Sequence, residues 1–204
     1  MSGCCENGCE ITARNERQRT TLKWVLAINA VMFLVIVAAA LYADSTALLS
    51  DSLDNLGDAI TYALSLYAIA LGARAKAKVA LFKGVLILAA ALAIAGQIAW
   101  KLAHPAVPIF EAMGAFSLLG LAANGICFGL LWRHRHEDIN MSSVWECSRN
   151  DIASNISVFV AALGVWATGA AWPDLLVAAA LVVVLLRSAL RVISSARREL
   201  HASS

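Results

Sequence analysis

Six stretches of this sequence stay apolar for long enough to cross the hydrocarbon core of a bilayer, and no other feature limits the fold so severely. A helical crossing needs about 20 predominantly apolar residues. Runs of that length lie at 22–42, 46–72, 79–102, 109–132, 143–168 and 174–193, joined by short connections. They show no period-two alternation, which disfavours strands and a barrel. The expected fold is all-α: a polytopic membrane protein built as a six-transmembrane-helix bundle. Composition agrees, with 60% hydrophobic residues and only 15% charged. A soluble domain is closer to half apolar and about a quarter charged, and a disordered chain is poor in apolar residues. The expected division is a cytoplasmic Cys-containing tail at 1–21, a transmembrane domain at 22–193 and a short cytoplasmic tail at 194–204. The first 21 residues lack the short apolar core and small-residue cleavage site of a secretory signal.

The basic residues give the orientation. Arg14, Arg17, Arg19 and Lys23 stand at the first run; Arg74, Lys76, Lys78 and Lys83 surround the second connection. Arg133, Arg135 and Arg149 surround the fourth, and Arg187, Arg191, Arg197 and Arg198 lie at the C-terminal end. Fifteen of the 16 Lys and Arg therefore fall on one side, with Lys101 alone on the other. By the positive-inside rule both termini are cytoplasmic, in a cell membrane (the inner or plasma membrane of a bacterium). An even number of spans requires the same. The net charge of +2 is too small to indicate a nucleic-acid partner. No G-x-x-x-x-G-K-[ST] loop is present to take ATP, and neither a Ser/His/Asp nor an H-E-x-x-H constellation supports hydrolysis, so the chain does not read as an enzyme.

Charge inside the apolar runs is the exception that needs a reason. The second run carries Asp51, Asp54 and Asp58 at i, i+3 and i+7, on one helical face. An Asp at the centre of a membrane helix costs roughly 2.5–3.5 kcal/mol. Three in one span, with no Lys or Arg in that span, point to an external cation; the alternative is that some are protonated, since burial raises a carboxylate pKa. In the fifth run Cys147, Asp151 and Asn155 are spaced by four and share a face. At ~1.5 Å rise per residue, Asp58 and Asp151 both fall about 10–12 Å from the cytoplasmic edge. Two antiparallel helices would thus bring Asp54, Asp58, Cys147 and Asp151 to one depth, and two i, i+4 pairs supply the four ligands of a tetrahedral divalent metal site. By the same estimate Cys147 lies nearer the cytoplasmic edge than Asp54, while Asn155 is level with Asp54. Asn155 is therefore an alternative or additional ligand, and Asp51 a third ligand, an entry residue or a proton carrier.

These two stretches, 47–60 and 147–155, resemble the paired signatures of the cation diffusion facilitator (cation efflux) family. The family's second-span pattern, His or Asp followed four residues later by Asp, falls on Asp54 and Asp58. Its fifth-span pattern falls on Cys147 and Asp151, with Cys147 where His or Asp is more usual. The resemblance implies six spans, cytoplasmic termini, a homodimer, and export of zinc, cadmium or cobalt in exchange for protons, with no resident cofactor beyond the transported metal. It also marks the chain as a short member without the family's C-terminal cytoplasmic metal-binding domain.

Other residues carry weaker signals. Cys4, Cys5 and Cys9 suit a flexible tail that captures soft or borderline cations, although their spacing fits no standard zinc module. His134 and His136, flanked by Arg133 and Arg135, are a thin version of the His-rich loop that relatives often carry; they read equally as a plain solvated loop, since the flanking positive charge lowers their affinity for a cation. Glu111 and Asp174 are expected at the outer interface, and Gly125 with Gly129 is expected as a helix-packing pair. Two other functions compete: a membrane module that senses or buffers metal without transport, and a proton-coupled exporter of organic cations. The second calls for aromatic residues on the Asp face, and none lies between Asp51 and Asp58; Tyr62 is the first.

Overall fold

A computed structural model describes residues 16–67, 73–132 and 139–202, and among these every regular element is helical. The order is α1 (Glu16–Ala43), α2 (Thr46–Tyr67), α3 (Ala73–Ala103), α4 (Phe110–Trp132), α5 (Ile139–Thr168) and α6 (Trp172–Ala202). Five of the six are long and apolar enough to cross a membrane: stretches Arg19–Ala43, Ala80–Ala103, Phe110–Trp132, Asp151–Thr168 and Trp172–Leu200. Among the described residues α2 alone falls short, because Asp51, Asp54 and Asp58 interrupt it. The protein is an all-α polytopic membrane protein. Its large exposed side chains agree: Leu34, Leu41, Phe82, Leu92, Val160 and Val184 all face outward. Such a belt would be an unusual liability in water and is ordinary against lipid.

The tryptophans mark two levels. Exposed Trp24 and Trp132 lie at the start of α1 and the end of α4, on one side of the bundle. Exposed Trp100, Trp166 and Trp172 lie near the ends of α3 and α5 and the start of α6, on the other. Indole rings concentrate at membrane–water interfaces in this way.

Helix α2 is the axle of the bundle, packing against α1, α3, α5 and α6. One core joins α1, α2, α4, α5 and α6 through small residues, including Ala39, Ala40, Ala47, Ala112, Ala161 and Ala178. Small side chains let helix backbones approach closely, which is how membrane helices gain packing when lipid is as apolar as leucine. A second cluster joins Leu53 of α2 to Ile87, Ala91 and Ile94 of α3 and Val182, Leu185 and Ala189 of α6. α3 and α6 run antiparallel in contact: a Cβ at Gly84 would stand 2.7 Å from Ile193 Cγ1. The Lys76–Lys78 end of α3 therefore adjoins the Arg197–Arg198 end of α6. Gly125 and Gly129, in contrast, are exposed, and nothing lies within 4 Å of where a Cβ would stand on either. The expected packing pair meets no other helix among the described residues of this chain, where Gly84, Gly120 and Gly164 make the close approaches.

The joint between α1 and α2 fixes where α2 begins. Asp44 adopts φ 50°, a left-handed conformation that Asp tolerates better than most residues. It lets Ser45 N–H bond back to Ala40 O at 3.0 Å. Ser45 is the N-cap of α2, its Oγ accepting from Leu48 N–H at 3.1 Å. The other free N–H groups are taken by a residue far away in sequence. Asp174, in the first turn of α6, accepts from Thr46 N–H at 2.9 Å, Ala47 N–H at 3.1 Å and Ser45 Oγ at 2.6 Å. Asp174 is only 1% exposed, so it is a buried cap and not the interfacial residue expected from its position. Beside it, buried Lys101 pairs with Asp44 at 2.7 Å.

Candidate metal centre

The buried face of α2 sets the site. Asp51 is almost fully enclosed, and Asp54 and Asp58 are partly so. A carboxylate in this setting needs a donor, a proton or a cation, so each partner is informative. Asp54 Oδ2 accepts from Ser154 Oγ of α5 at 3.1 Å. Asp58 Oδ2 accepts from Tyr62 OH, one turn further along α2, at 3.0 Å. Asp58 also stands within hydrogen-bonding reach of the Asp151 carboxyl and feels the charge of Lys83. Asp51 lies beside Asp54 and near Ser154, yet Ser154 donates to Asp54, and both Asp51 oxygens are buried with no hydrogen bond.

Of the four residues expected to gather, the structure brings Asp58 of α2 against Asp151 of α5 and seats Asp54 one turn above, against α5 through Ser154. Two carboxyl groups as close as Asp58 and Asp151 require a proton or a cation between them. The backbone of residue 147 belongs to α5, one turn before Asp151, but its side chain lies outside the described residues. Cys4, Cys5, Cys9, His134 and His136 also lie outside them. Among the described residues no three of His, Cys, Asp and Glu converge closely enough to hold a metal ion.

Asn155, next in sequence to the Ser154 that donates to Asp54, turns its amide toward α4. Its Nδ2 donates to the Asp151 carbonyl at 2.9 Å, and its Oδ1 is buried without a hydrogen bond. That oxygen sits over Gly120, where a Cβ would fall 2.1 Å from it. Glycine at 120 is thus what admits the Asn155 side chain between α4 and α5.

Three partners were not anticipated from the sequence. Tyr62 lies at i+4 from Asp58, a spacing that is readable in advance. Ser154 is one residue from the Asp151-Asn155 stripe and gives no signal of its own. Lys83, counted with the basic surface at the second connection, sits inside the apolar stretch Ala80–Ala103 and donates from Nζ to Thr61 Oγ1 of α2.

Residues 22–201 match the family described as the cation efflux transmembrane domain. The chain is 27% identical over 200 residues to the metal cation efflux system protein CzcD of Cupriavidus metallidurans, an alignment covering 88% of this chain and 62% of that protein. It is 28% identical over 174 residues to the cation efflux system protein CzcD of an Alcaligenes species, covering 78% of this chain and 54% of that one. The chain thus spans 54–62% of the length of these curated relatives.

Proposed function

The chain belongs to the cation efflux family, and from that membership we propose that it exports a divalent metal cation from the cytoplasm in exchange for protons. The observation that carries the reading is the meeting of Asp58 and Asp151 from two different helices inside a membrane bundle. Asp54 and Cys147, each four residues before one of these, complete a set of three carboxylates and one thiolate. Asp51, beside Asp54 and with both oxygens unsatisfied, is the reserve ligand, and Asn155, whose free Oδ1 is turned to Gly120, joins the set only by rotating its side chain. The mixed hard and soft donors suit Zn²⁺, Cd²⁺ or Co²⁺, in keeping with relatives named as metal cation efflux proteins.

Carboxylates and a thiol must lose their protons to bind metal, so loading the site releases protons to the cytoplasm. When the bundle turns the site outward, protons arriving there displace the metal and reset the ligands. Alternating access around a midplane site is the general scheme of secondary transporters. In this reading both termini are cytoplasmic, the working unit is a homodimer in the cell membrane, the Cys4, Cys5 and Cys9 tail and the His134 and His136 loop collect metal, and ATP takes no part.

The test is growth of an efflux-deficient bacterium on a panel of zinc, cadmium, cobalt and nickel salts. The parent chain raises tolerance to at least one metal, and Asp54→Ala, Asp58→Ala and Asp151→Ala each abolish the gain. Unchanged tolerance with all three variants would overturn the proposed site.

A further inference from the structure

Among the described residues, Lys83 is a cation that the fold aims at the carboxylate pair. It lies ten residues into α3, about 15 Å from the start of that helix at ~1.5 Å per residue, and within the apolar stretch Ala80–Ala103. A lysine on a membrane helix normally reaches for the interface along its flexible stem. Here the ammonium instead donates to Thr61 Oγ1, whose own hydroxyl is turned back to Gly57 O at 2.8 Å. Thr61 follows Asp58 by three residues, so it sits directly beneath that carboxylate on the same face of α2. The Asp58 carboxyl thus accepts from Tyr62 OH, stands against Asp151 and feels a positive charge from a neighbouring helix. Further along α3 the packing on α2 is apolar. The adjoining Ile87, Ala91 and Ile94 make that contact with apolar side chains.

We propose that Lys83 is a tethered counter-cation of the Asp58–Asp151 pair, held beneath it by Thr61, and that an arriving divalent metal must displace it. The proposal rests on the reading of Asp58 and Asp151 as metal ligands. Lys83 keeps the metal-free pair compensated and so sets the concentration at which metal begins to compete. It is a positioning and threshold residue, since it cannot itself bind a cation. Repulsion between a fixed unit charge and a divalent ion across a few ångströms of partly hydrated protein amounts to at least about tenfold in affinity.

The experiment is Zn²⁺ titration of the purified full chain by calorimetry, paired with Zn²⁺ transport in proteoliposomes. Lys83→Gln keeps a donor for Thr61 and loses the charge; Lys83→Met loses both; Lys83→Arg keeps both. The expected result is Zn²⁺ binding about tenfold tighter for the Gln and Met variants, a KM lowered in parallel, and parental values restored by Arg. The glutamine variant carries the test if methionine impairs folding. Gln and Met variants that bind Zn²⁺ within twofold of the parent overturn the proposal, as does an Arg variant shifted as far as Met. Asp58→Ala separates the two levels. If it binds Zn²⁺ as the parent does, the ligand reading falls and this proposal with it. If it loses binding while Lys83→Gln changes nothing, only the counter-cation role is refuted.

Discussion

Replacing Asp174 by alanine should loosen the bundle at the start of α2 without touching the carboxylate site. The side chain serves three donors at once, at 2.6, 2.9 and 3.1 Å, and all of its partners are buried. A hydrogen bond to a charged group contributes about 1.5–3 kcal/mol net, and an orphaned buried donor costs about 1–3 kcal/mol. Desolvation of the carboxylate offsets part of this in the parent. Counting only the Thr46 and Ala47 N–H groups as orphans, at the middle of that range, and allowing for the desolvation offset gives a loss of about 3–4 kcal/mol. On the scale for chains of about 150–250 residues, 1 kcal/mol corresponds to roughly 2–4 °C, so Tm should fall by roughly 6–16 °C. Tryptophan fluorescence during thermal unfolding in detergent is the assay, with six Trp as reporters. Asp174→Asn keeps an acceptor and should lose less than half as much. Glu111→Ala, an exposed acid at the same end, should stay within about 0.5 kcal/mol of the parent. A Tm for Asp174→Ala within about 2 °C of the parent would refute the argument that this residue anchors α2.

Gly120→Ala places a methyl 2.1 Å from Asn155 Oδ1; overpacking of this kind should cost about 1–3 kcal/mol, whereas Gly125→Ala, facing open space, should leave Tm unchanged. Ser154→Ala removes the donor to Asp54 Oδ2 and should weaken zinc binding about 10-fold in calorimetry, the low end of what hydrogen bonds that orient metal ligands contribute to metal affinity. Cys147→His should lower the cadmium-to-zinc transport ratio, because imidazole is a harder donor than thiolate; an unchanged ratio would take Cys147 out of the ligand set and favour Asn155.

The apolar runs in the sequence locate the spans well, because bilayer thickness imposes a length that no packing detail can override. The 46–72 run is also readable as a helix despite its three acids, since 3.6-residue periodicity puts all three on one face. That Asp58 meets Asp151 follows from antiparallel helices and a fixed rise per residue. The same arithmetic does not say which way side chains at one depth turn. Asn155 and Ser154 are neighbours in sequence, yet the serine faces Asp54 and the amide faces Gly120. Rotation of a helix about its axis depends on what packs against it, and the opposing glycine is 35 positions away. Lys83 and Asp174 escape the sequence reading for a related reason. Charge near a helix end reads as interfacial, but a long lysine stem can reach back onto α2, and Asp174 sits where the last helix abuts the second, 128 residues distant from Thr46. Gly125 and Gly129 carry the small-x-x-x-small spacing, yet no helix among the described residues of this chain lies on that side; spacing alone does not say which helix, if any, a small-residue face meets.

The central claim is that carboxylates shared by α2 and α5 carry a metal ion against protons, and everted membrane vesicles test it most directly. Zn²⁺ or Cd²⁺ uptake is followed with an inward-acid pH gradient imposed and then collapsed by an ionophore, for the parent chain and for Asp58→Ala. The account predicts metal uptake by the parent that falls when the gradient is collapsed, and none by the variant. Uptake by Asp58→Ala at the parental rate, or parental uptake indifferent to the gradient, would contradict it.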